Sequence, residues 1–185
     1  KPWRTAATGH HYQAAFSWDN VKHYKDHHTL PLVLKGIATA EDAALACQHG
    51  VDVVYVSNHG GRQLDHGRGA MDLLPEVLEA VAGRARIIID GGLCRGTDIV
   101  KAIALGADAV AIGRLYCYGL AANGSAGVQR VLELLEQETA VAMALLGVTK
   151  LAQLDRSYLH LNAPVVTPPH VHSAFPLLFR TPETP

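Results

Sequence analysis

The sequence predicts an α/β fold built on a parallel sheet, on three observations. Short apolar runs end in polar or glycine-containing turns. Each run is followed by a stretch carrying helix start and stop signals. The strand, loop and helix recur four times between residues 31 and 146. Parallel neighbours need a crossover of a dozen or more residues, usually a helix, so the repetition implies parallel strands joined by helices. Two architectures satisfy it: a doubly wound open sheet and a piece of a (β/α)8 barrel. A whole barrel takes about 250 residues, and this chain has 185. Four βα units are half of one.

The lead-in, residues 1–30, has weak periodicity, with aromatics Trp3, Tyr12, Phe16, Trp18 and Tyr24 among polar residues. A helix can open near residue 17, capped by Ser17 or Asp19. Residues 31–36 form a first apolar run ending in Lys35-Gly36. Thr39-Ala40-Glu41-Asp42 has helix-start spacing and leads a helix to about His49, with Gly50 as its stop. The second strand, residues 51–56, carries Val53, Val54, Tyr55 and Val56 in succession, which suits burial on both faces. A helix follows over residues 71–81, then a third strand, Arg86-Ile87-Ile88-Ile89-Asp90. Residues 97–105 are helical and end at Gly106. The fourth strand spans residues 109–114, a long helix residues 124–146, and a short one residues 150–155. From residue 163 onward the chain holds six of its nine prolines. The expected organisation is a lead-in over 1–30, the α/β unit over 31–163 and a proline-rich extended tail over 164–185.

Composition excludes several classes of function. The apolar fraction of 49% and charged fraction of 18% are those of an ordinary globular protein. A net charge of −1 gives no sign of a nucleic-acid partner. No apolar run approaches the roughly 20 residues that span a bilayer. Lys1-Pro2-Trp3-Arg4 lacks the apolar core of a signal peptide. Cys47, Cys94 and Cys117 form neither a close pair nor a zinc-like cluster. A reducing cytoplasm is therefore the expected location.

The residues that carry chemistry cluster after the strands. Ser57-Asn58-His59-Gly60-Gly61-Arg62-Gln63-Leu64-Asp65 puts a hydroxyl, an imidazole, two glycines and a guanidinium directly after strand two. His59 offers a base near neutral pH, and Arg62 a planar fork for a carboxylate or phosphate. Asp90-Gly91-Gly92-Leu93-Cys94 runs from a strand end toward a helix start, where backbone N–H groups and the helix dipole favour an anion. Gly113-Arg114 adds a second turn and a guanidinium. On these residues alone, the glycines serve either a phosphate or merely tight turns. Lys35 ends an apolar strand, where a charge is costly without a partner; it either reaches into the mouth beside His59 or snorkels to solvent. His59, Asp65 and His66 match no metal-ligand spacing, and no metal is expected. Ser57 lacks the glycine spacing of a nucleophile elbow.

Taken together, the motifs resemble the flavin-dependent 2-hydroxy-acid oxidase and dehydrogenase family, from about residue 16 to 176. Leu32-Val33-Leu34-Lys35-Gly36-Ile37, the Ser57 to Asp65 stretch, Asp90-Gly91-Gly92 with Arg95-Gly96-Thr97-Asp98, Ala104-Leu105-Gly106-Ala107 and Ile112-Gly113-Arg114 stand in the family's order. The glycine-rich half is shared with other phosphate-binding barrels; the Ser-Asn-His-Gly-Gly-Arg-Gln stretch is highly specific. The resemblance implies a (β/α)8 barrel, here its C-terminal half (strands five to eight), and FMN as cofactor. It implies that Lys35 stabilises reduced flavin, that Ser57 contacts the ring system, and that Asp90, Gly91, Gly92, Leu93, Cys94, Gly113 and Arg114 surround the ribityl phosphate. His59 would be the catalytic base and Arg62 would hold the carboxylate of a small L-2-hydroxy acid of lactate, glycolate or mandelate type. The electron acceptor stays open among oxygen, quinone and cytochrome, and with a quinone goes peripheral attachment to the inner face of a membrane.

Two departures qualify the resemblance. Cys94 stands where the family often has an arginine. The half that supplies substrate-side tyrosines and the aspartate paired with the histidine has no counterpart here, so Tyr12 and Tyr55 are not assigned those roles. An open half-barrel implies association, as a homo-oligomer or with a complementing N-terminal half. The alternative function is a degenerate half-barrel that binds a phosphate ligand or partner without turnover.

Overall fold

A computed structural model of the protein describes residues 16–64 and 66–160. The expected tail over 164–185, the first fifteen residues with Trp3 and Tyr12, and Asp65 lie outside them. Helix α1 (Trp18–His27) precedes strand β1 (Val33–Ile37), helix α2 (Ala40–Gln48) and strand β2 (Val53–Val56). A single 3-10 turn, His59–Gly61, leads to α3 (Ala70–Val81), β3 (Arg86–Ile89), α4 (Gly96–Leu105), β4 (Ala109–Val110) and α5 (Arg114–Leu146). Two 3-10 turns, Leu151–Gln153 and Arg156–Tyr158, close the described chain.

Local chemistry accounts for the boundaries. Ser17 precedes α1 in extended backbone, and its N–H donates to Asn20 Oδ1 at 2.8 Å. Thr39 Oγ1 accepts the Asp42 N–H at 3.1 Å and so satisfies one open donor of α2. The fourth strand is shorter than expected. Only Ala109 and Val110 pair with β3, because Gly113 (φ −110°, ψ −96°) turns the chain and Arg114 already starts a helix. That helix begins ten residues before the expected 124 and bends at Asn123 and Gly124 (φ 55°, ψ −140°). Gly119 disguised its first part as a loop, because glycine weakens helices. Its reason is packing across the bend: a Cβ there would lie 2.5 Å from the Gly127 carbonyl oxygen. The expected short helix over 150–155 is a 3-10 turn instead.

The four strands are all parallel and follow chain order, β1-β2-β3-β4. One face is packed. Val54, Val56, Ile87 and Ile89 lie against Ala43, Ala46, Leu73, Leu74, Val77 and Val81 of α2 and α3 in the main core. A smaller cluster joins Val100 and Ala104 of α4 to Val148 and Leu154 beyond α5. The other face carries Val33, Lys35, Val53, Tyr55, Arg86, Ile88 and Ala109, by strand alternation and register. Burial on both faces of β2 is not what the structure has: Val54 and Val56 are buried while Val53 and Tyr55 are half-buried. Val33, an apolar residue, is 46% exposed.

A bulge in β1 sets the first site residue. The register slips between Lys35 and Ile37, so Ile37 pairs with Val56 and returns to the packed side. Gly36 absorbs the slip at φ 98°, a conformation closed to most side chains. Lys35 thereby stays on the open face while Ile37 is buried. Gly36→Ala meets no steric obstacle, yet the backbone cost should lower stability by about 1–2 kcal/mol. Urea denaturation should show it, and Leu74→Ala, in the packed core, should cost more, about 2–5 kcal/mol.

Candidate active site

Parallel strands bring their carboxyl ends to one rim, and the polar residues of the sequence collect there. Lys35 pairs in register with Tyr55 on the neighbouring strand. Its Nζ donates to Ser57 Oγ at 2.8 Å and lies 3.0 Å from Asp90 Oδ2. The same ammonium sits 4.8 Å from the centroid of the Tyr55 ring, within the range of cation–π attraction. The Tyr55 hydroxyl donates to Asp90 Oδ2 at 3.1 Å. Ser57, 2% exposed, also accepts the His59 backbone N–H at 3.1 Å. Asp90 Oδ1 is buried with no hydrogen-bond partner among the described residues. Four residues from three strand ends thus form one network around a cation.

The Tyr55 phenol is pushed up to about 12, first by burial, then by the Asp90 charge and by the hydrogen bond to it. It is therefore neutral throughout the physiological range.

The turn after β2 is held in an unusual shape. His59, Gly60 and Gly61 all have positive φ, at 53°, 66° and 70°. For a histidine this costs roughly 1–3 kcal/mol. Asn58 offsets the cost. Its Oδ1 accepts the Gly60 N–H at 3.0 Å, and its Nδ2 donates to the Arg68 carbonyl at 3.1 Å. Arg68 is in turn forked onto Glu76 of α3 at 2.9 and 2.5 Å. The turn presents His59 and Arg62 as exposed side chains. Of His59, only the backbone N–H joins the Lys35 network; Arg62 stands further along the rim. The structure brings Lys35, Ser57 and Asp90 into contact and leaves the imidazole and guanidinium facing outward.

The glycine loops differ from the expected phosphate cradle in one respect. The N–H groups of Cys94 and Arg95 donate to Asp98 Oδ2 at 3.0 and 2.9 Å, and that of Gly96 to Glu138 Oε2 at 2.8 Å. Arg95 is clamped by Glu138 at 2.9 Å. The first donors of α4 are already taken by carboxylates. Room for an anion remains at Gly92 and Gly113, where an added Cβ would meet nothing within 4 Å. Arg114, at the start of α5, lies beside the turn, its Nη2 3.6 Å from where a Gly60 Cβ would be. Leu93 is 6% exposed and anchors its loop in the main core. Burial and the Asp98 charge raise the Cys94 thiol above its usual range, against an opposing pull from Arg114.

Sequence reasoning passed over two residues. Tyr55 has a signal in hindsight, since it lies two positions before Ser57 and so shares its face of the strand. Asn58 has another: an Asn two residues before a glycine with positive φ is an Asx-turn signature.

The profile of the FMN-dependent dehydrogenases matches residues 3–161. The chain belongs to that family. It is 51% identical over 147 residues to an L-lactate oxidase of Nostoc sp., covering 80% of this chain and 40% of that protein. Identity to 2-hydroxyacid oxidase 1 of Mus musculus is 46% over 148 residues, with the same coverages, 80% and 40%. Among solved structures, a monotopic membrane protein, (S)-mandelate dehydrogenase, superposes with TM-score 0.76 at 41% identity, over 80% of this chain and 39% of that one. A mandelate oxidase superposes with TM-score 0.73 at 43% identity, over 75% and 42%. The chain thus spans about 40% of the length of the relatives it matches. Its four-stranded sheet is part of a (β/α)8 barrel, which decides between the two architectures the repeats allowed. Among the described residues, no helix is long and apolar enough to cross a membrane.

Because the folded chain keeps the Tyr55 proton where an unfolded chain loses it, the phenol contributes stability below pH 10 that fades as pH rises to about 12. A near-ultraviolet phenolate titration should show a late-titrating component that is lost in Tyr55→Phe and shifted to lower pH in Asp90→Asn.

Proposed function

We propose that this chain carries the flavin- and substrate-binding rim of an FMN-dependent enzyme that oxidises a small L-2-hydroxy acid, of lactate, glycolate or mandelate type, to the 2-oxo acid. The observation that carries this reading is the Lys35 ammonium, fixed between Ser57 Oγ and Asp90 Oδ2 at the strand carboxyl ends. Beside it lies the unpartnered Asp90 Oδ1. A buried acceptor of that kind calls for a donor from a ligand, because leaving it unmet is costly, and the hydroxyls of a ribityl chain are such donors. Open space at Gly92 and Gly113, with Arg114 at hand, fits a terminal phosphate. The residues present fit FMN.

Bound FMN supplies the two-electron acceptor; the protein's own groups do the rest. Lys35 offers positive charge on the open face of the sheet, where negative charge on a reduced ligand is stabilised. Ser57 fixes that ammonium and, through the His59 N–H, ties it to the turn. Arg62 takes the substrate carboxylate in a bidentate pair. That leaves the 2-hydroxyl toward His59, whose imidazole accepts its proton. Gly91, Gly92, Cys94, Gly113 and Arg114 would line the phosphate, with Leu93 contributing its backbone.

The open sheet face defines the partner. Val33, Val53 and Ile88 stand on it beside Lys35 and Tyr55, and among the described residues no strand pairs with the outer edge of β1 or β4. Four further parallel strands would cover both, so we infer that the chain associates with a complementing half or with a second copy. Size-exclusion chromatography should give a species larger than one chain; a compact, well-behaved monomer would contradict the inference.

The catalytic reading is tested by titrating FMN into the 185-residue chain, desalting, and adding lactate, glycolate or mandelate without oxygen. Retained flavin bleached by one of them is the expected result. His59→Ala should keep the flavin and slow the bleaching about 10²- to 10⁴-fold. Flavin that is retained but never bleached would leave a binding module without turnover, and flavin that washes away would reject the reading for the chain alone.

A further inference from the structure

Tyr55 has no part in the family motifs quoted above, yet it makes two contacts with the site's cation network. Its ring lies under the Lys35 ammonium, 4.8 Å from centroid to Nζ. Its hydroxyl donates to Asp90 Oδ2 at 3.1 Å, the same oxygen that Lys35 approaches to 3.0 Å. The β1–β2 register puts the two side chains directly opposite each other, where cross-strand neighbours touch. We infer that Tyr55 is a positioning residue for Lys35: the ring fixes where the ammonium sits, and the hydroxyl sets how much of its charge Asp90 cancels.

The physical basis lies in the shared oxygen. A carboxylate 3.0 Å from an ammonium offsets much of the field that the ammonium projects onward. A neutral donor on the same oxygen draws off part of the negative charge without adding an ion. With the phenol in place, more of the Lys35 charge is directed into the open face. Without it, Asp90 Oδ2 turns wholly to Lys35. The ring acts separately. It holds the lysine stem on one side, which matters because Lys35 is 42% exposed along its side chain. A phenylalanine would keep the second effect and lose the first; a leucine would lose both.

The inference rests on the proposal that Lys35 faces the flavin, and two measurements separate the failure of one from that of the other. The first needs no cofactor. The chain is pulse-acetylated and the rate at each lysine is read by mass spectrometry. Tyr55→Leu should speed acetylation of Lys35 about two- to fivefold, the loss of one cation–π contact. Tyr55→Phe should not speed it. Lys25, ion-paired with Asp52 at 2.8 Å and remote from the rim, should keep its rate in both variants, whereas a general loosening of the fold would raise it too. The second measurement is the midpoint potential of bound FMN, which should move to a more negative value in Tyr55→Phe. An unchanged Lys35 rate in Tyr55→Leu, or acceleration of Lys25 in step with it, overturns the positioning role. So does an unshifted potential in Tyr55→Phe when flavin is held. If the unaltered chain takes up no flavin, the flavin reading falls, and the acetylation rates still decide whether Tyr55 positions Lys35.

Discussion

The ammonium of Lys35 needs partners, and much of the rim is arranged by that need. A charge on a half-covered sheet is tolerated only with hydrogen-bonding neighbours and some access to water. Ser57, Asp90 and Tyr55 meet it from two other strand ends. Each of these also does something else: Ser57 anchors the His59 turn, and Asp90 keeps one oxygen in reserve. Moving the lysine by one residue would turn it toward α2 and α3, among side chains that offer no counter-charge. The bulge at Gly36 is thus as much a part of the site as any polar group.

Parallel topology supplies the remaining arrangement. Because every crossover returns the chain to the same end of the sheet, residues 35, 57, 90 and 114 meet at one rim despite wide separation in sequence. The helices carry the cost of folding, through the core between α2, α3 and the sheet, while the rim carries strain. His59 at positive φ is the clearest instance. It is held by Asn58 from within the turn and by the Arg68–Glu76 fork from α3. The same strands thus supply the core from their packed face and the polar rim from their carboxyl ends.

Much of this was legible in the residues. The strand cycle gave the parallel sheet, and Thr39, Gly50 and Gly106 marked boundaries that the structure keeps within a residue or two. That Lys35, Ser57 and Asp90 meet at one rim could be foreseen because each ends or follows an apolar run. Other features were hidden for physical reasons. The start of α5 was obscured by Gly119, whose cause is a backbone contact with a residue eight positions on and not a local turn. The capture of the Gly96 N–H by Glu138 is a tertiary event with no local trace. Tyr55 lies outside the family's tyrosine motifs, and its contact with Lys35 depends on register with the neighbouring strand, which one strand's pattern does not reveal. The open face of the sheet was likewise invisible, since an apolar run reads the same whether one side or both are covered.

The grip of Glu138 on Arg95 and Gly96 bears on the order in which the molecule is made. Gly96 fits so closely against the backbone at residues 138 and 139 that a Cβ there would stand 2.3 Å from the Thr139 nitrogen. The turn between β3 and α4 is therefore finished by a segment more than forty residues downstream. During synthesis at about 5–20 residues per second, β1 to β3 can collapse with α2 and α3 while that turn still lacks its lock. The Lys35 end of the rim can then be assembled seconds before the glycine end acquires its final shape.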